Sequence, residues 1–310
     1  MMDNIKSKIA NIHSAHVKYK ILSVFWWIIR FIIIFGVGFI ILKPIIGKVL
    51  LSFMHPEDLL DNTVKLYPKT PSTYYWRFAL NNLHLPKSFV NTLVLSLTIG
   101  IIQVVSSTMI GYGLARFKFR GRGIAFFFVI VIMLVPYQVI SISQYLGFVY
   151  FGVGTFTLNL SDSFIPLYIL AFTGLGVKEG LYIYLLRENF RSLPGDLEDA
   201  SYIDGAGVMR TFLSIMVPNA RTMMVTVFLF SFCWQWTDTT YSSLYLLDVK
   251  VLSNVVQELY VRHGVFYDTM GTIITRSAAS IFIMIPLLGL FGVCQRMFVK
   301  SIAQAGMSNV

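Results

Sequence analysis

Long apolar blocks alternate with short polar stretches along this chain. A helix that crosses a membrane needs about twenty mainly apolar residues. Six segments meet that length: 21–42, 89–115, 124–148, 164–186, 223–241 and 277–293. The fourth is interrupted by Pro166, Lys178 and Glu179. Pro136 and Pro286 fall inside the third and sixth and predict kinks there, with neighbouring helices supplying the lost hydrogen bonds. The segment 43–87 holds Pro44, Pro56, Pro68, Pro71 and Pro86 beside Tyr74, Tyr75 and Trp76. It reads as an irregular loop outside the membrane with an interfacial aromatic cluster. A short helix is expected near 253–261. The expected fold class is all-α, a polytopic membrane protein with six transmembrane helices.

Composition agrees with that pattern. Hydrophobic residues make up 56% of the chain and charged residues 13%, with a mean hydropathy of +0.69. A soluble domain carries about twice that charged fraction. The first run follows about twenty polar residues and ends at no small-residue cleavage site, so it reads as an anchor, not a signal peptide. The two cysteines, Cys233 and Cys294, lie in apolar runs and read as small core residues. The five histidines show no metal-ligand spacing. No phosphate-cradling G-x-x-x-x-G-K-[ST] motif occurs, and no G-x-S-x-G or H-E-x-x-H motif, so the chain carries no ATP site and no recognisable catalytic set.

The net charge of +10 would suggest nucleic acid in a soluble protein. Here no aromatic-interleaved basic patch exists, and nucleic acid is not an expected partner. Lipid is, and the basic residues vote on orientation. Arg116, Lys118, Arg120 and Arg122 crowd one short connection, while that between the third and fourth runs has none. Because cytoplasmic loops are enriched in Lys and Arg, both termini are expected in the cytoplasm.

One polar island stands out between the fourth and fifth runs: Glu198-Asp199-Ala200-Ser201-Tyr202-Ile203-Asp204-Gly205-Ala206, followed by Phe212, Ile215 and Pro218. Two spanning helices gain nothing for their own insertion from such a string. It is expected to be helical over about 197–207, with Asp196 as N-cap and Glu198 near the positive end of the helix dipole. Gly205 and Gly207 supply a stop. Ala200, Gly205 and Ala206 leave room for a partner's surface.

The island resembles the EAA loop of ABC importer permeases, E-A-A-x-x-D-G-A with later F, I and L-P positions. Asp199 replaces an alanine and Val217 a leucine of that pattern. Further runs are similar to the carbohydrate-uptake branch of that family, the maltose-importer type. Asn91-Thr92-Leu93 opens the second span and Ala115-Arg116-Phe117-Lys118-Phe119 leads out of it. Leu186-Arg187-Glu188-Asn189-Phe190 leads towards Pro194. Gln295-Arg296-Met297-Phe298-Val299-Lys300 closes the last span, with Ser301 in place of a glycine. The resemblance covers about 87–306. Residues 1–86 match in layout alone.

The resemblance implies a type I ABC importer permease with a cytoplasmic tail over 1–20, a first span and extracytoplasmic loop over 21–86, a five-span permease core over 87–296 with its EAA loop at about 194–218, and a second tail over 297–310. It implies no chemistry and no cofactor in this chain. ATP and Mg are bound by a partner ATPase dimer. A second permease subunit, expected to be non-identical, completes the pathway, and an extracytoplasmic sugar-binding protein delivers an oligosaccharide. Glu198, Asp199, Ala200, Asp204, Gly205, Ala206, Phe212, Ile215 and Pro218 would couple to the ATPase. Gln295, Arg296 and Lys300 would join them from the tail, although anchoring at the membrane surface explains their charges equally well.

Candidates for sugar contact are aromatic and hydrogen-bonding residues within the spans. Trp234, Gln235, Trp236, Asp238 and Tyr241 form the richest group, with Trp234, Asp238 and Tyr241 at helical spacing on one face. Asp238 would lie about 30 Å above Pro218, where an interfacial aromatic belt is an equal explanation. Gln138 and Gln144 follow Pro136 and also suit helix–helix hydrogen bonds. Lys178 and Glu179 qualify as ionisable residues within a span. The competing reading is a stand-alone ion- or proton-coupled transporter, which would want inverted repeats or paired intramembrane carboxylates. Neither is evident.

Overall fold

The computed structural model describes residues 2–82, 84–153, 156–262 and 269–307, and for 2–19, 21, 82, 153, 156, 258–262, 269–270 and 296–307 the backbone alone. The chain divides into two compact units, Met1–Ser72 and Thr73–Val310.

In the first unit a single helix, α1 (Met2–Leu51), runs for 50 residues. Its stretch Leu22–Leu51 is apolar and long enough to cross a membrane. Phe25, Trp27, Ile34, Phe35 and Ile40 are all exposed on it. The rings of Trp27, Phe31 and Phe35 stack in series at four-residue spacing. Helix α1 continues well past residue 42, so the segment expected to be irregular begins as helix. A short α2 (Pro56–Leu60) follows, its start braced by the His55 N–H donating to the Asp58 carboxylate. The Asp61 carboxylate then gathers the Lys69 ammonium and the Thr63 amide and hydroxyl. Chiefly through Lys69, that carboxyl titrates well below the ordinary carboxylate range.

The second unit opens with α3 (Tyr74–Asn82) and the long α4 (Leu85–Arg116). Pro86 fits the first turn of α4, where its missing N–H costs nothing. Helix α4 is two-faced. Val90, Val94, Leu97, Ile101, Val105 and Met109 are exposed, while Ser88, Thr92, Ser96, Gln103, Ser106 and Ser107 are buried. Small and hydroxylated residues let membrane helices approach closely. At Gly111 a β-carbon would sit 3.0 Å from the Arg187 backbone nitrogen, and at Gly100 one would meet the Phe228 ring.

The third apolar run is more than kinked. It forms α5 (Arg122–Leu134) and α6 (Tyr137–Val149), bent by 104°. Pro136 pushes Val135 into extended backbone (ψ 122°) and offers no N–H of its own. A two-stranded antiparallel hairpin, β1 (Phe151–Val153) with β2 (Phe156–Leu158), departs from the all-α expectation. The fourth run is broken as well. Helix α7 (Ile165–Phe172) ends at a turn, and α8 (Glu179–Ser192) begins anew. Gly174 (φ 81°) and Lys178 (φ 60°) occupy left-handed backbone in that turn.

The coupling region follows as α9 (Asp196–Ile203) and α10 (Val208–Thr211). A wide turn at Phe212–Met216 then leads into α11 (Val217–Thr237). Helices α12 (Thr240–Tyr245) and α13 (Leu252–Arg262) precede α14 (Thr269–Met307), which continues through Pro286 for 39 residues. Among the described residues four helices are long and apolar enough to span a membrane, or five if the bent pair counts as one. The remaining run of the expected six is the α7–α8 pair, neither half of which is long enough alone.

The core lies where α4, α8 and α11 meet. Tyr112, Tyr182, Leu186, Phe190, Phe212 and Met216 are all buried there. Phe232 and Trp236 join Phe89 and α14 in a second cluster.

Candidate functional site

Helix α9 begins at Asp196, so Gly195 and not Asp196 is its N-cap. Asp196, Glu198 and Asp199 crowd its first turn, where the helix dipole favours carboxylates. The helix stops at Ile203, short of the expected 207, because Gly205 turns into left-handed backbone (φ 79°). The Gly205 N–H bonds to the Tyr202 carbonyl and that of Ala206 to Ser201, closing the end.

Glu198 points inward and is buried. Its carboxylate accepts from the Tyr112 hydroxyl at 2.7 Å and pairs with Arg116 Nε at 3.3 Å. Arg116 also donates to the Leu193 carbonyl at 2.6 Å. The last turn of α4 therefore clamps both sides of the loop entrance. Tyr112 packs on Phe190 and Phe212, and Ser201 bonds Thr211 at 2.8 Å, fixing α9 to α10.

Of the other expected coupling residues, Phe212 is buried, and Ala206 and Ile215 are half-buried. Asp199, Ala200, Asp204, Gly205 and Pro218 are exposed. Around them lie large apolar side chains that the pattern match did not include: Ile203, 86% exposed, with Val208, Met209 and Leu213. The spacing of these residues in so short a polar segment was the available signal. Gln295 is exposed and donates to the Gly292 carbonyl. The side chains of Arg296 and Lys300 lie outside the described residues.

The span candidates separate into distinct environments. The expected common face of Trp234, Asp238 and Tyr241 does not form, because α11 ends at Thr237. Trp234 is 47% exposed with Lys178 Nζ 5.0 Å above its ring, whereas Asp238 and Tyr241 are buried. Asp238 accepts from the amides of Tyr241 and Ser242 and from the Ser242 hydroxyl, so it braces the first turn of α12 from just before its N-cap, Thr239. Trp236 is fully buried and donates to the Ile283 carbonyl of α14 at 3.0 Å. Tyr241 stacks on Tyr137 and donates to Gln144 at 3.2 Å. Gln138 is exposed. Gln235 lines a small cavity with Gln103, Gly176 and Tyr241, and its Nε2 has no protein partner. Glu179 is fully buried against Gln103, Ser106 and the Gly176 amide.

A polytopic helical subunit with a rigidly mounted polar loop, apolar on its outer face, is the class these features define. The chain belongs to the family of binding-protein-dependent transport system inner membrane components, whose model matches residues 107–304. It is an ABC importer permease of the inner membrane. It is 27% identical over 287 residues to the osmoprotective compounds uptake permease protein GgtD of a Synechocystis species, covering 90% of this chain and 91% of that protein. It is 26% identical to the diacetylchitobiose uptake system permease protein NgcG of Streptomyces coelicolor, with 86% and 83% covered. The arabinooligosaccharides transport system permease protein AraQ of Bacillus subtilis is also 26% identical, with 86% and 91% covered. The fold is that of a chain in the crystal structure of a bacterial ABC transporter involved in import of the acidic polysaccharide alginate. That likeness has a TM-score of 0.70 at 18% identity and covers 87% of this chain and 95% of that one.

Proposed function

We propose that this chain forms half of the translocation pathway of an ATP-driven, binding-protein-dependent importer of carbohydrate, most simply an oligosaccharide. The substrate class follows the relatives named for diacetylchitobiose and arabinooligosaccharides. The partners are a second, non-identical permease subunit, an ATPase dimer that binds ATP and Mg, and an extracytoplasmic sugar-binding protein. Six spans carry the chain across the membrane, the fourth being the α7–α8 pair, with both termini cytoplasmic. The permease core is 87–296, preceded by the tail 1–20 and the anchor with its extracytoplasmic loop at 21–86, and followed by the tail 297–310.

One observation carries the coupling role: Glu198 is spent on holding the loop to α4, while Asp199, Ala200, Ile203, Asp204, Val208, Met209 and Leu213 are left facing out. The inner residues mount the loop and the outer ones meet the ATPase. Gln138, Gln144, Trp234 and Gln235 are the residues proposed to line the sugar path. Trp236, Asp238 and Tyr241 support it through the bonds described above.

The test is uptake in proteoliposomes containing the whole transporter. Ile203→Glu touches no internal partner, so the subunit should insert and assemble with its companion permease. ATP-driven uptake should fall by about tenfold or more, the loss expected on burying a charge in an apolar interface. Gly205→Asp should behave alike. Undiminished uptake by Ile203→Glu would remove the docking surface, and uptake driven by a proton gradient without ATPase would favour the stand-alone transporter.

A further inference from the structure

Where α5 begins and α8 ends, beside the coupling loop, the chain carries more positive charge than it matches. Arg122 opens α5, and its Nη2 donates to the Ala115 carbonyl at 3.1 Å, next to the Arg116 clamp. Arg187 and Arg191 lie one turn apart near the end of α8. Their one carboxylate is Glu188, which pairs with Arg187 and reaches Arg191 at 3.4 Å. Arg122 and Arg191 both lie close enough for their charges to act on Arg187. Among the described residues no other carboxylate comes within ion-pair distance of these three arginines, so two of their three charges stay unmatched.

Arg187 is the informative member. It is buried, its guanidinium carbon lies 3.7 Å from the centre of the Phe126 ring, and its Nε finds no hydrogen-bond partner in the protein. Phe126 of α5 stacks in turn on Tyr184 of α8. A buried cation flanked by two like charges is costly unless an anion compensates them. Guanidinium groups match phosphate oxygens two at a time and give up water more easily than an ammonium does. Beyond the arginines the surface turns apolar. Ile124, Phe127 and Phe128 of α5 are exposed at helical spacing. The patch thus passes within two turns from cations to an apolar strip, as a phospholipid passes from headgroup to acyl chain. A carboxylate on the ATPase would meet the charge and leave that strip uncovered.

We propose that Arg122, Arg187 and Arg191 bind the phosphate of one anionic phospholipid, drawn from the leaflet on the coupling-loop side, with its acyl chains along Ile124, Phe127 and Phe128. Basic pockets between membrane helices suit such headgroups. The lipid bridges α5 and α8 where α8 leads into the loop. It therefore steadies the base on which Arg116 holds the Leu193 carbonyl and the loop entrance. Binding needs neither sugar nor ATP, so the inference stands apart from the proposed substrate and is tested without either.

The test is thermal melting of the whole transporter, purified in uncharged detergent and stripped of lipid, against increasing phosphatidylglycerol. A ligand of the folded state raises the melting temperature with its concentration. Phosphatidylglycerol should raise it, and zwitterionic phosphatidylcholine should not. One arginine near anionic headgroups is worth about fivefold in binding. Arg191→Gln, at a half-exposed side chain paired with Glu188, should therefore raise the lipid concentration for half the shift about fivefold. Arg122→Gln/Arg191→Gln should raise it further. Lys118→Gln/Arg120→Gln removes two exposed basic residues of the neighbouring connection and should leave it unchanged. An equal loss in that control would mean diffuse attraction to any anionic surface and would overturn the site. So would a full shift from inorganic phosphate alone, which would make the ligand a free anion. An Arg191→Gln transporter that binds lipid as the wild type does would overturn it too, and if that variant also lost its ATPase the cluster would belong to that partner.

Discussion

Arg116 is the residue on which the coupling loop is hung. It contacts the Glu198 carboxylate and the Leu193 carbonyl, one on each side of the loop's entrance. Removing one partner of a largely buried ion pair leaves the other charge uncompensated and costs about 3 kcal/mol. Arg116→Ala should therefore loosen residues 194–211 more than any exposed substitution in the loop. Limited proteolysis of the purified transporter reads this directly, as faster cleavage near Arg210. Glu198→Gln should be milder, because its side-chain oxygen still accepts from Tyr112. Equal cleavage rates for Arg116→Ala and wild type would mean the clamp does not hold the loop.

Asp162 has a comparable role at the opposite end of these helices. Its carboxylate accepts from the amides of Asp248 at 2.8 Å and Val249 at 3.4 Å, and its own N–H donates to the Tyr245 carbonyl. These amides, Asp248 foremost, hold its carboxyl below the usual carboxylate value. A depressed value contributes stability above the unfolded value of about 3.9 and loses it as pH falls through the folded one. The protection of the Asp248 and Val249 amides, measured as exchange relative to the intrinsic rate at each pH, should therefore fall on acidification. Asp162→Asn should flatten that response, since an amide oxygen accepts at every pH.

At the scale of elements, two glycines of α4 make a paired test. A β-carbon at Gly111 would lie 3.0 Å from the Arg187 amide nitrogen and 3.3 Å from the Ile183 carbonyl, backbone atoms that cannot rotate away. A β-carbon at Gly113 meets nothing within 4 Å. Gly111→Val should separate α4 from α8, destabilising by about 2 kcal/mol or more as overpacking does, whereas Gly113→Ala should be neutral. Thermal melts of the two variants decide it. Equal melting temperatures would mean that α4 and α8 are not packed as described.

The apolar runs placed these elements well and their interruptions poorly. Run length marks where lipid must be, which is why 89–115 falls inside α4 and 277–293 inside α14. It does not tell a kink from a right-angle break. Pro136 and Pro286 look alike in the sequence, yet the first ends a helix and the second does not. Within the loop, the pattern of Glu198, Asp204, Gly205 and Phe212 was legible. The division between residues that mount it and residues that face out was not, because the mounts Tyr112 and Arg116 are some eighty residues distant in sequence. Asp238 shows the same limit. Its place near the end of a span made it a pathway candidate, and the donors that hold it at the start of α12 could not be read from the sequence.

At the scale of the molecule, geometry ties the basic connection to the coupling segment independently of the charge rule. Arg116 opens the basic connection 116–122 and touches Glu198 and Leu193 of the coupling segment. The two segments therefore lie together at one end of the helices, and labelling should find them on one side of the membrane. Asp162 and residues 245–249 meet at the other ends of the same helices. A single labelling experiment tests both statements. In a chain whose Cys233 and Cys294 are replaced by serine, a cysteine is introduced at Arg120, Asp204 or Asn159. Intact cells are treated with a membrane-impermeant thiol reagent. The Asn159 site should react in intact cells, and the Arg120 and Asp204 sites only after the membrane is opened. If Arg120 and Asp204 differ, the Arg116 clamp is wrong. If they agree with each other but react from outside, the clamp stands and the cytoplasmic placement, with the ATPase docking built on it, fails.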